Sequence, residues 1–558
     1  MTKPSCQIVT TVLKAQGIRD VVISPGSRNT PFILAVDNIG SFRKHIAIDE
    51  RSAAFMALGM SQISRRPTIL CCTSGTALLN YAPAVAEAYY QGVPLIIISA
   101  DRPIEWIDQD DSQTLRQFEA LRNYVKASFD LPDFQDDDNS MKWYANRVAN
   151  EAYLTSMGKC PGPVHINMHF SNPLSAQHPQ CQSNRLVTAT DTSSALPPHV
   201  IQQLANEVKD KKILVIAGQY PPSNRINRAI AMLSHLPNVA VWAETIANIH
   251  TPGIISCIDR TLMVVDATDT AYRPDIVISM GGALISRMAK EFLRKADGCS
   301  HWSVGFKRDR LADPFMRLTR IIEASPETFL PHFAHALCRC KPVGHFADLW
   351  QAANIKACNR HKEIVENAPW SALKAFSFIL SHIPGKANLQ LSNGTTIRYA
   401  QLFDYRIHAS YCNRGVSGID GSTSTAIGAA HNYGNNTYFI SGDMSFTYDI
   451  GALSLPGISP DLKIIVINNG GGEIFRFIPT TSKLSGRETF FSVKPMLPLD
   501  KLAAAYGFDY FKADNERALK NIWPTFKSPS LCPAILEIIV DPDISARTLQ
   551  NYFNYKHK

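Results

Sequence analysis

Short apolar runs alternate with longer amphipathic segments along the first third of the chain. Residues 20–24, 68–72 and 94–99 are mostly apolar runs of the length of one strand, and two further strands are predicted at residues 46–48 and 163–168. The first two are followed by a short turn and a helical segment, and residues 50–62 have helical spacing as well. Buried strands without alternation, separated by helices, are typical of β-α-β units and a parallel sheet covered on both faces. The pattern therefore predicts an α/β fold.

The same rhythm recurs twice more along the chain. A polar segment rich in Pro and Ser, residues 170–198, predicts a linker, and a second boundary is predicted near residues 340–370. We therefore predict three α/β domains with mainly parallel sheets, at residues 1–180, 195–345 and 365–558. The strands predicted for the second and third domains are residues 213–218, 239–244, 262–266, 275–282, 301–306, 389–393, 437–443, 463–469 and 534–541.

Composition and charge narrow the class of protein. The chain has 558 residues and a net charge of +8, without a block of like charge or a repeat of basic and aromatic residues. Its 12 cysteines form no CxxC pair, which is typical of reduced, intracellular proteins. The N-terminus lacks the apolar core of a signal peptide, and no apolar run approaches the roughly 18 residues that span a bilayer. We predict a cytoplasmic protein with no nucleic-acid partner and no membrane insertion.

Two polar residues at predicted strand ends are the most informative feature of the chain. Asp443 ends the run 437–443, and Asn469 ends the run 463–469, 26 positions later. The carboxyl ends of neighbouring parallel strands lie side by side, where ligands usually bind. A carboxylate, an amide oxygen and a carbonyl exposed by the glycines 470–472 suit a hard cation such as Mg²⁺, which also takes phosphate oxygens. The pair predicts a magnesium–diphosphate site.

Each of these residues also has an ordinary structural interpretation. Asp443 alone is typical of a helix cap, and Asn469 alone is typical of a turn. Glu50 directly precedes a helical segment. A carboxylate in that position is either a catalytic group or a partner of the helix dipole.

Arginines near strand ends indicate the kind of substrate. Guanidinium groups bind carboxylates through two parallel hydrogen bonds, so several of them together favour a substrate with more than one carboxylate. For any single arginine, a solvated surface position is the alternative. The five residues are Arg28, Arg102, Arg287, Arg398 and Arg414.

At these residues the chain resembles the thiamine-diphosphate-dependent enzymes, which have a pyrimidine-binding, a central and a diphosphate-binding domain. Its GD…NN segment is similar to their metal–diphosphate motif, and Glu50 matches their activating glutamate. Among them it most resembles the MenD family, the 2-succinyl-5-enolpyruvyl-6-hydroxy-3-cyclohexene-1-carboxylate synthases. The segments that resemble this family are SPGSRNTP, DERSAAF, TSGTALLNYAPAVAEA, ADRP with a following Gln, NRGVSGIDGSTSTA, GDMSFTYDIGAL and NNGGGEIF, between residues 24 and 475.

The resemblance implies a decarboxylating, carbon–carbon bond-forming transferase of menaquinone biosynthesis. The family decarboxylates 2-oxoglutarate on thiamine diphosphate and adds the resulting carbanion to isochorismate by 1,4-addition. It implies thiamine diphosphate and Mg²⁺ as cofactors, with Mn²⁺ as an alternative ion. It also implies a homodimer or homotetramer, because the residues that match Glu50 and Asp443 meet across a subunit interface in this superfamily.

The resemblance also assigns roles to individual residues. The implied metal ligands are Asp443, Asn469 and the carbonyl of Gly471. The implied cofactor-binding residues are Glu50, Thr73, Gly75, Ile419, Gly442, Asp443, Met444, Ser445, Asn469, Gly471 and Ile474, of which Glu50 is also catalytic. The implied substrate-binding residues are Arg398 and Arg414 for 2-oxoglutarate, Ser27, Arg28, Arg102 and Gln113 for isochorismate, Arg287 in the central domain, and Ile474 and Phe475 as an apolar wall.

Two positions depart from the family pattern. Where the family often has two adjacent cations in the central domain, this chain has only Arg287, followed by Lys290 one helical turn later. Where a serine is common before Arg398, this chain has Gly394. Both departures concern how the substrates are bound.

Two other functions stay open at this point. One is a thiamine-diphosphate enzyme that acts on pyruvate and often holds FAD in the central domain, but pyruvate has one carboxylate and needs no set of five arginines. The other is a non-catalytic protein with the same fold, which has no need for Glu50, Asp443 and Asn469 together.

Overall fold

The computed structural model of the protein describes residues 3–174, 184–190, 195–306 and 311–554. Within these ranges the strands form three separate sheets, and every strand pair is parallel. The predicted α/β fold with three parallel sheets is therefore confirmed. The predicted linker, residues 170–198, lies partly outside the described residues, and the domain boundaries stay predictions. No helix in the described ranges combines the length and apolar character that a bilayer span requires.

The N-terminal sheet has six strands in the order β2-β1-β3-β4-β6-β5. Its strands are β1 (Asp20–Ile23), β2 (Arg43–Ile46), β3 (Thr68–Cys72), β4 (Leu95–Asp101), β5 (Ser128–Leu131) and β6 (Pro163–His169). Its helices are α1 (Pro4–Ala15), α2 (Thr30–Ile39), α3 (Glu50–Ser64), α4 (Ala77–Asn80), α5 (Ala82–Gln91) and α6 (Asn139–Ser156). The chain order reverses between β1 and β3, where a ligand crevice is expected.

The central sheet has five strands in the order β11-β10-β9-β7-β8. Its strands are β7 (Ile213–Ala217), β8 (Val239–Ala243), β9 (Ile276–Met280), β10 (Ser300–Val304) and β11 (Leu318–Ile322). The helices are α7 (Pro198–Val208), α8 (Asn224–Ser234), α9 (Ile258–Leu262), α10 (Arg287–Arg294) and α11 (Pro326–Arg339). Two further helices lead to the last sheet, α12 (Phe346–Asn367) and α13 (Ala372–His382).

The C-terminal sheet has six strands in the order β13-β12-β14-β15-β17-β16. Its strands are β12 (Asn388–Leu391), β13 (Ala409–Cys412), β14 (Thr437–Gly442), β15 (Leu462–Asn468), β16 (Asp509–Ala513) and β17 (Ala534–Ile539). Its helices are α14 (Thr395–Ala400), α15 (Ser422–Tyr433), α16 (Asp443–Tyr448), α17 (Glu473–Phe477), α18 (Pro479–Ser482), α19 (Arg487–Phe490), α20 (Leu499–Tyr506), α21 (Glu516–Lys527) and α22 (Pro542–Asn554).

One predicted strand is wrong. Residues 262–266 continue from the end of α9 as a helical turn, in which the amides of Met263 and Val264 donate to the carbonyls of Asp259 and Thr261. Only Leu262 of this apolar run belongs to the buried core. A short apolar run has the same appearance in a strand and at the buried end of a helix, so its pattern alone does not separate the two.

Two helices join the N-terminal and C-terminal domains within one chain. A Cβ atom on Gly59 of α3 would lie 2.0 Å from the carbonyl oxygen of Thr425 on α15. A Cβ on Gly428 of α15 would lie 2.0 Å from the carbonyl oxygen of Met56. Glycine at both positions therefore lets the two backbones touch, and side chains of both domains share one core. This contact fixes where α3 lies relative to the C-terminal sheet.

Candidate functional site

The carboxyl ends of four neighbouring strands carry the polar residues of the C-terminal domain. The order of the sheet places β13, β12, β14 and β15 side by side. The chain order reverses between β12 and β14, which makes this edge the expected ligand crevice. The residues that follow these strands include Asn393 and Gly394 after β12, Arg414 after β13, Asp443 after β14 and Asn469 after β15.

Asp443 is a buried carboxylate held by backbone amides. The residue is only 2% exposed. Its Oδ1 accepts from the backbone amide of Met444 at 2.7 Å, and its Oδ2 accepts from the backbone amide of Gly471 at 2.8 Å. Burial raises the pKa of Asp443, while the amides of the glycine turn oppose that rise. These bonds join β14 to the turn after β15, so the predicted pair of strand ends meets as expected.

Asn469 has its amide oriented by a buried glutamate. Its Nδ2 donates to Oε2 of Glu473 at 2.8 Å, and Oε1 of Glu473 accepts from the hydroxyl of Tyr399 at 2.7 Å. Burial raises the pKa of Glu473 to about 7. Because Glu473 takes the amide nitrogen, the amide oxygen of Asn469 is turned the other way.

The side-chain oxygen of Asn469 is the feature that fits a metal ion. Oδ1 is buried, and it has no hydrogen-bond partner among the described residues. Leaving a buried acceptor unpaired is costly, and such atoms are usually satisfied by water or an ion. The described residues contain no cluster of three His, Cys, Asp or Glu side chains with metal-ligand spacing. A cation here would therefore take one carboxylate, one amide oxygen and a backbone carbonyl, a donor set that suits Mg²⁺.

The glycine turn after β15 has a backbone that other residues adopt with difficulty. Gly471 has φ +102°, and a Cβ on it would lie 2.3 Å from the carbonyl oxygen of Val493. Glycine is the residue that tolerates both the conformation and the close approach. The turn can therefore present its carbonyl beside Asp443, as the resemblance implies for Gly471.

The other cofactor residues predicted in this domain surround the same edge. Ser445 donates from Oγ to the carbonyl oxygen of Ile419 at 3.2 Å, which joins α16 to the loop that precedes α15. The amide of Gly442 donates to Ser392 Oγ at 3.4 Å. Ile474 lies in the first turn of α17, one residue after Glu473. These contacts bring Ile419, Gly442, Ser445 and Ile474 to one end of the sheet.

Phe475 lies on the same short helix and contacts the following segment. Its ring centroid is 5.5 Å from that of Phe491, and a Cβ on Gly472 would lie 2.8 Å from the Phe475 ring. Both Ile474 and Phe475 are half-buried. They lie beside the glycine turn, and their role as an apolar wall for the substrates stays a prediction.

Asp449 connects the helix that begins at Asp443 to α15. Its carboxylate accepts from the amide of Ser424 at 2.6 Å and from its hydroxyl at 2.8 Å. The residue is fully buried, and burial raises the pKa of Asp449 from 3.8 to about 7. Between these two values the folded state holds a proton that the unfolded state has lost. The contribution of this extra proton to the free energy of unfolding is therefore fully present below pH 3.8 and is lost as the pH rises through about 7.

Asp449→Asn is expected to reduce this pH dependence. The amide is neutral at every pH and can still accept from the Ser424 amide while donating to the Ser424 hydroxyl. Between pH 5 and pH 8 the midpoint of thermal unfolding should fall by about 2–4 °C more in the wild type than in the variant. Differential scanning fluorimetry across this range measures the effect, and parallel profiles for the two proteins would refute the assignment.

Two arginines of the C-terminal domain face the central domain. The guanidinium of Arg414 donates to Asn393 Oδ1 at 2.9 Å, and its Nε is buried with no hydrogen-bond partner among the described residues. The pKa of Arg398 is lowered by burial and by the nearby charge of Arg414, and Asp259 of the central domain opposes this. Arg398 and Arg414 therefore follow the neighbouring strands β12 and β13 and affect each other electrostatically.

The structure separates the two central-domain cations. Arg287 has a side chain that is 85% exposed and pairs with Glu291 at 2.6 Å. Lys290 is half-buried, donates to the carbonyl of Leu284 at 2.7 Å, and has its pKa lowered mainly by burial, with Arg414 nearby. Of the two residues, Lys290 is the one that lies near the arginines of the C-terminal domain. The role of Arg287 in substrate binding stays a prediction.

The N-terminal domain has a second polar group at its own ligand crevice. The loop after β1 and the loop after β3 touch, because a Cβ on Gly26 would lie 2.4 Å from Cβ of Thr73. The amide of Arg28 donates to Thr73 Oγ1 at 3.3 Å, and its guanidinium donates to the carbonyl of Phe170 at 2.8 Å. Ser27 is exposed beside it. The predicted residues Ser27, Arg28 and Thr73 therefore come together.

A buried glutamine holds the β3 loop in place. Gln117 is fully buried; its Oε1 accepts from the amide of Gly75 at 2.7 Å, and its Nε2 donates to Asn167 Oδ1 at 3.0 Å. Gln117 belongs to none of the predicted motifs. The predicted Gln113 is exposed, has φ +55°, and its backbone lies 3.5 Å from the position of a Cβ on Gly75.

Arg102 is fixed by the loop that follows it. Its guanidinium pairs with Asp111 at 2.8 Å and donates to the carbonyl of Ser112 at 2.7 Å, which places it next to Gln113. The backbone carbonyl oxygen of Arg102 accepts a hydrogen bond from Nδ1 of His169 at 2.5 Å. Arg28 and Arg102 are close enough for the charge of Arg102 to lower the pKa of Arg28, after the larger effect of burial.

Glu50 begins α3 and is only partly buried. Asp49 caps this helix by accepting from the amides of Arg51 and Ser52 at 3.0 and 3.4 Å, and Glu50 accepts from Asn80 Nδ2 at 3.5 Å. In the part of the chain that the structure describes, no hydrogen bond joins Glu50 to Asp443 or Asn469. Within one chain, Glu50 therefore has no direct hydrogen bond to the metal-donor group, which consists of Asp443, Asn469 and the carbonyl of Gly471.

Comparison with known proteins agrees with these features. A model of the family described as "Thiamine pyrophosphate enzyme, N-terminal TPP binding domain" matches residues 6–120. The solved structure of benzoylformate decarboxylase from Polynucleobacter necessarius covers 97% of this chain and 99% of its own, with a TM-score of 0.71 and 16% identity, a likeness of fold. The protein is a thiamine-diphosphate-dependent enzyme with three α/β domains.

Curated relatives identify the family. The chain is 38% identical over 563 residues to the 2-succinyl-5-enolpyruvyl-6-hydroxy-3-cyclohexene-1-carboxylate synthase of Porphyromonas gingivalis, covering 99% of this chain and 97% of the relative. It is 37% identical to the synthase of the same name from Flavobacterium psychrophilum, covering 99% and 98%. The chain belongs to this family of synthases, as the sequence predicted.

Proposed function

We propose that the chain condenses 2-oxoglutarate with isochorismate, with loss of CO₂, as a step of menaquinone biosynthesis. The observation that carries the proposal is the combination of a metal-donor group with two adjacent arginines at one sheet edge, in a chain of this family. Asp443 and Asn469 belong to the first group, and Arg398 and Arg414 to the second. A dicarboxylate bound next to a cofactor diphosphate fits both groups at once.

Thiamine diphosphate and a divalent cation are the groups that this edge would hold. Asp443, the amide oxygen of Asn469 and the carbonyl of Gly471 would bind Mg²⁺, or Mn²⁺ in its place, and the cation would bind the diphosphate. When bound, the cofactor supplies the electron sink that decarboxylation of a 2-oxo acid requires. The residues proposed to line it in this domain are Ile419, Gly442, Met444, Ser445 and Ile474.

The cations of the chain are proposed to divide between the two substrates. Arg398 and Arg414 bind the carboxylates of 2-oxoglutarate, and Lys290 adds a positive charge from the central domain. Ser27, Arg28, Arg102 and Gln113 bind isochorismate at the crevice of the N-terminal sheet. The half-buried Ile474 and Phe475 exclude water from the space between the two sets.

Glu50 is the proposed proton-handling residue, whereas Thr73 and Gly75 of the same domain are proposed to bind the cofactor. Its position at the N-terminus of α3, outside hydrogen-bond reach of its own chain's metal donors, favours a partner copy as the source of the diphosphate-binding half. We therefore propose a homodimer as the smallest active unit, with a homotetramer as its extension. A cytoplasmic location also stays a prediction.

Exposed apolar side chains around Glu50 support the proposed homodimer. Ile46 is 44%, Ile48 85%, Leu79 46% and Tyr448 53% exposed. Leu79 adjoins Asn80, which contacts Glu50, and Tyr448 lies under the guanidinium of Arg51 at 5.1 Å from the ring centroid. Exposed large apolar side chains that cover one region of a protein typically mark an interface.

Replacing the paired arginines tests the assignment of 2-oxoglutarate. Arg414→Lys keeps the charge but loses the fork that donates to Asn393 and to a carboxylate, so KM for 2-oxoglutarate should rise roughly 10-fold to 100-fold. KM for isochorismate should change by less than about 3-fold in the same variant. Steady-state kinetics with each substrate varied in turn measures both values.

The matched control is Arg320→Lys in the central domain, where Arg320 pairs with Glu207 and stacks on Trp302 away from both crevices. Its KM values should equal those of the wild type. An unchanged KM for 2-oxoglutarate in Arg414→Lys would contradict the assignment.

A further inference from the structure

A buried carboxylate of the N-terminal domain binds the backbone of a loop in the C-terminal domain. Glu87 of α5 is 2% exposed. Its Oε1 accepts from the amide of Gly415 at 2.5 Å, and its Oε2 accepts from the amides of Val416 and Ser417 at 2.6 and 3.3 Å. Gln91, one turn further along α5, donates to Oε1 at 2.6 Å.

Successive backbone amides that point to one spot form an anion-binding concavity. Here the three amides converge on one carboxylate, and no cationic side chain pairs with it among the described residues. The close fit also explains why residue 415 of the loop is a glycine. A Cβ on Gly415 would lie 2.6 Å from the carbonyl oxygen of Glu87 and 2.9 Å from its Oε1.

The same loop, residues 413–419, is fixed on its other side by Asn393. The side-chain nitrogen Nδ2 of Asn393 donates to the backbone carbonyls of Asn413 and Gly418, both at 2.7 Å. Its side-chain oxygen Oδ1 accepts from the guanidinium of Arg414 at 2.9 Å. The second residue of the loop is therefore the proposed substrate-binding Arg414, and its last residue is Ile419, which is proposed to lie beneath the cofactor.

Apolar packing does little to order the middle of this loop. Val416 at its tip is 55% exposed, and Ser417 has φ +72°, a conformation that most residues adopt only when surrounding contacts impose it. The hydrogen bonds to Glu87 and Asn393 are the contacts that can impose it. Asn393 belongs to the same domain as the loop, whereas Glu87 reaches it from the other.

We infer that Glu87 is a positioning residue, which holds the 413–419 loop from the N-terminal domain so that Arg414 and Ile419 are placed for 2-oxoglutarate and the cofactor. The inference rests on the proposed function for the identity of the substrate. The contact between Glu87 and the loop is independent of the proposed function. Glu87 touches neither substrate nor cofactor and acts only through the loop.

Glu87→Gln tests the inference with the smallest change of shape. A glutamine has one acceptor oxygen, so its amide nitrogen must face either Gly415 or the pair Val416 and Ser417, and at least one backbone donor loses its partner. Exchange of the amide hydrogens in residues 413–419 should become roughly 10-fold faster, measured by mass spectrometry on the full-length protein. KM for 2-oxoglutarate should rise roughly 10-fold, while KM for isochorismate changes by less than about 3-fold.

Glu151→Gln is the matched control, because Glu151 is an exposed glutamate of α6 in the same domain. It should leave both the exchange and the KM values at wild-type levels. Gly415→Ala is a second, independent variant, since its new Cβ displaces the loop from Glu87 without altering the carboxylate. It should reproduce the same difference between the two KM values, and it decides the matter if Glu87→Gln does not fold.

Unchanged exchange in residues 413–419, or an equal rise of KM for both substrates, would overturn the inference, because a purely structural role affects both substrates alike. If the wild-type protein does not turn over 2-oxoglutarate with isochorismate, the proposed function fails. In that case the role of Glu87 is still decided by hydrogen exchange of the loop and by the affinity for thiamine diphosphate, both measured in Glu87→Gln and in the wild type. Unchanged values for both quantities would count against the inference.

Discussion

Glu50→Gln is expected to bind thiamine diphosphate nearly as well as the wild type and to lose turnover by roughly 100-fold to 10 000-fold. The carboxylate is the group proposed to handle the proton, and a glutamine of the same size cannot take it. The helix itself should be unaffected, because its N-terminus is capped by Asp49 rather than by Glu50. The change therefore removes chemistry and leaves the fold intact.

Two measurements on the same sample check this prediction. Isothermal titration with thiamine diphosphate and Mg²⁺ gives the cofactor affinity, and consumption of isochorismate gives the turnover. Glu363→Gln, an exposed glutamate on α12, is the control and should retain both. Turnover of Glu50→Gln within about 3-fold of the wild type would refute the role of Glu50.

Asp443→Asn is expected to weaken metal-dependent binding of thiamine diphosphate by roughly 100-fold. The substitution removes the only carboxylate of the proposed donor set, since the other donors are the amide oxygen of Asn469 and a carbonyl. In the wild type, the backbone amides of Gly471 and Met444 both donate to the carboxylate. The asparagine places an NH₂ group, which is itself a donor, against one of these two amides. Charge and local geometry are lost together.

Thermal unfolding with and without the cofactor measures this effect independently of turnover. A ligand at about 100 times its dissociation constant stabilises a folded protein by about 2.7 kcal/mol, so the wild type should gain in unfolding midpoint and the variant should gain little. Asp461→Asn, at an exposed aspartate before β15, should behave like the wild type. An equal gain in Asp443→Asn would show that the cation is held elsewhere.

The sequence predicted the central strands better than the edge strands, for a physical reason. The runs that became β3, β7, β9 and β15 lie inside their sheets, are covered on both faces and read as continuous apolar segments. The strands without a prediction are β5, β11, β13 and β16, and each of them lies at the edge of its sheet. The edge strand β2 was predicted at residues 46–48 and lies at Arg43–Ile46, where most of its residues are exposed.

The residues at strand ends were predictable, and those that hold them in place were not. Asp443, Asn469 and Arg28 follow central strands, so the topology of a parallel sheet brings them to a ligand crevice. Gln117 acts on Gly75, 42 residues away, and Glu473 connects its near neighbour Asn469 to the distant Tyr399 on α14. No spacing along the chain reveals the two distant contacts. Glu87 did leave a signal, because a carboxylate stands between Val85 and Ala88 on the buried side of α5.

In the proposed homodimer, Glu50 of one copy pairs with the metal donors of the other copy. Glu50 and the metal donors lie in different domains, and α3 and α15 hold these domains in a fixed arrangement within one chain. The exposed apolar residues around Glu50 are where a second copy is expected to dock. Turnover in this account therefore depends on assembly as well as on the residues of each half.

The most direct test of the proposed function is the consumption of isochorismate by the purified protein, with every component present and with each one omitted in turn. Isochorismate should disappear and CO₂ should be released in equal amounts only when 2-oxoglutarate, thiamine diphosphate and Mg²⁺ are all present. Pyruvate in place of 2-oxoglutarate should give no turnover. Consumption that persists without thiamine diphosphate, or that proceeds equally well with pyruvate, would contradict the proposed function.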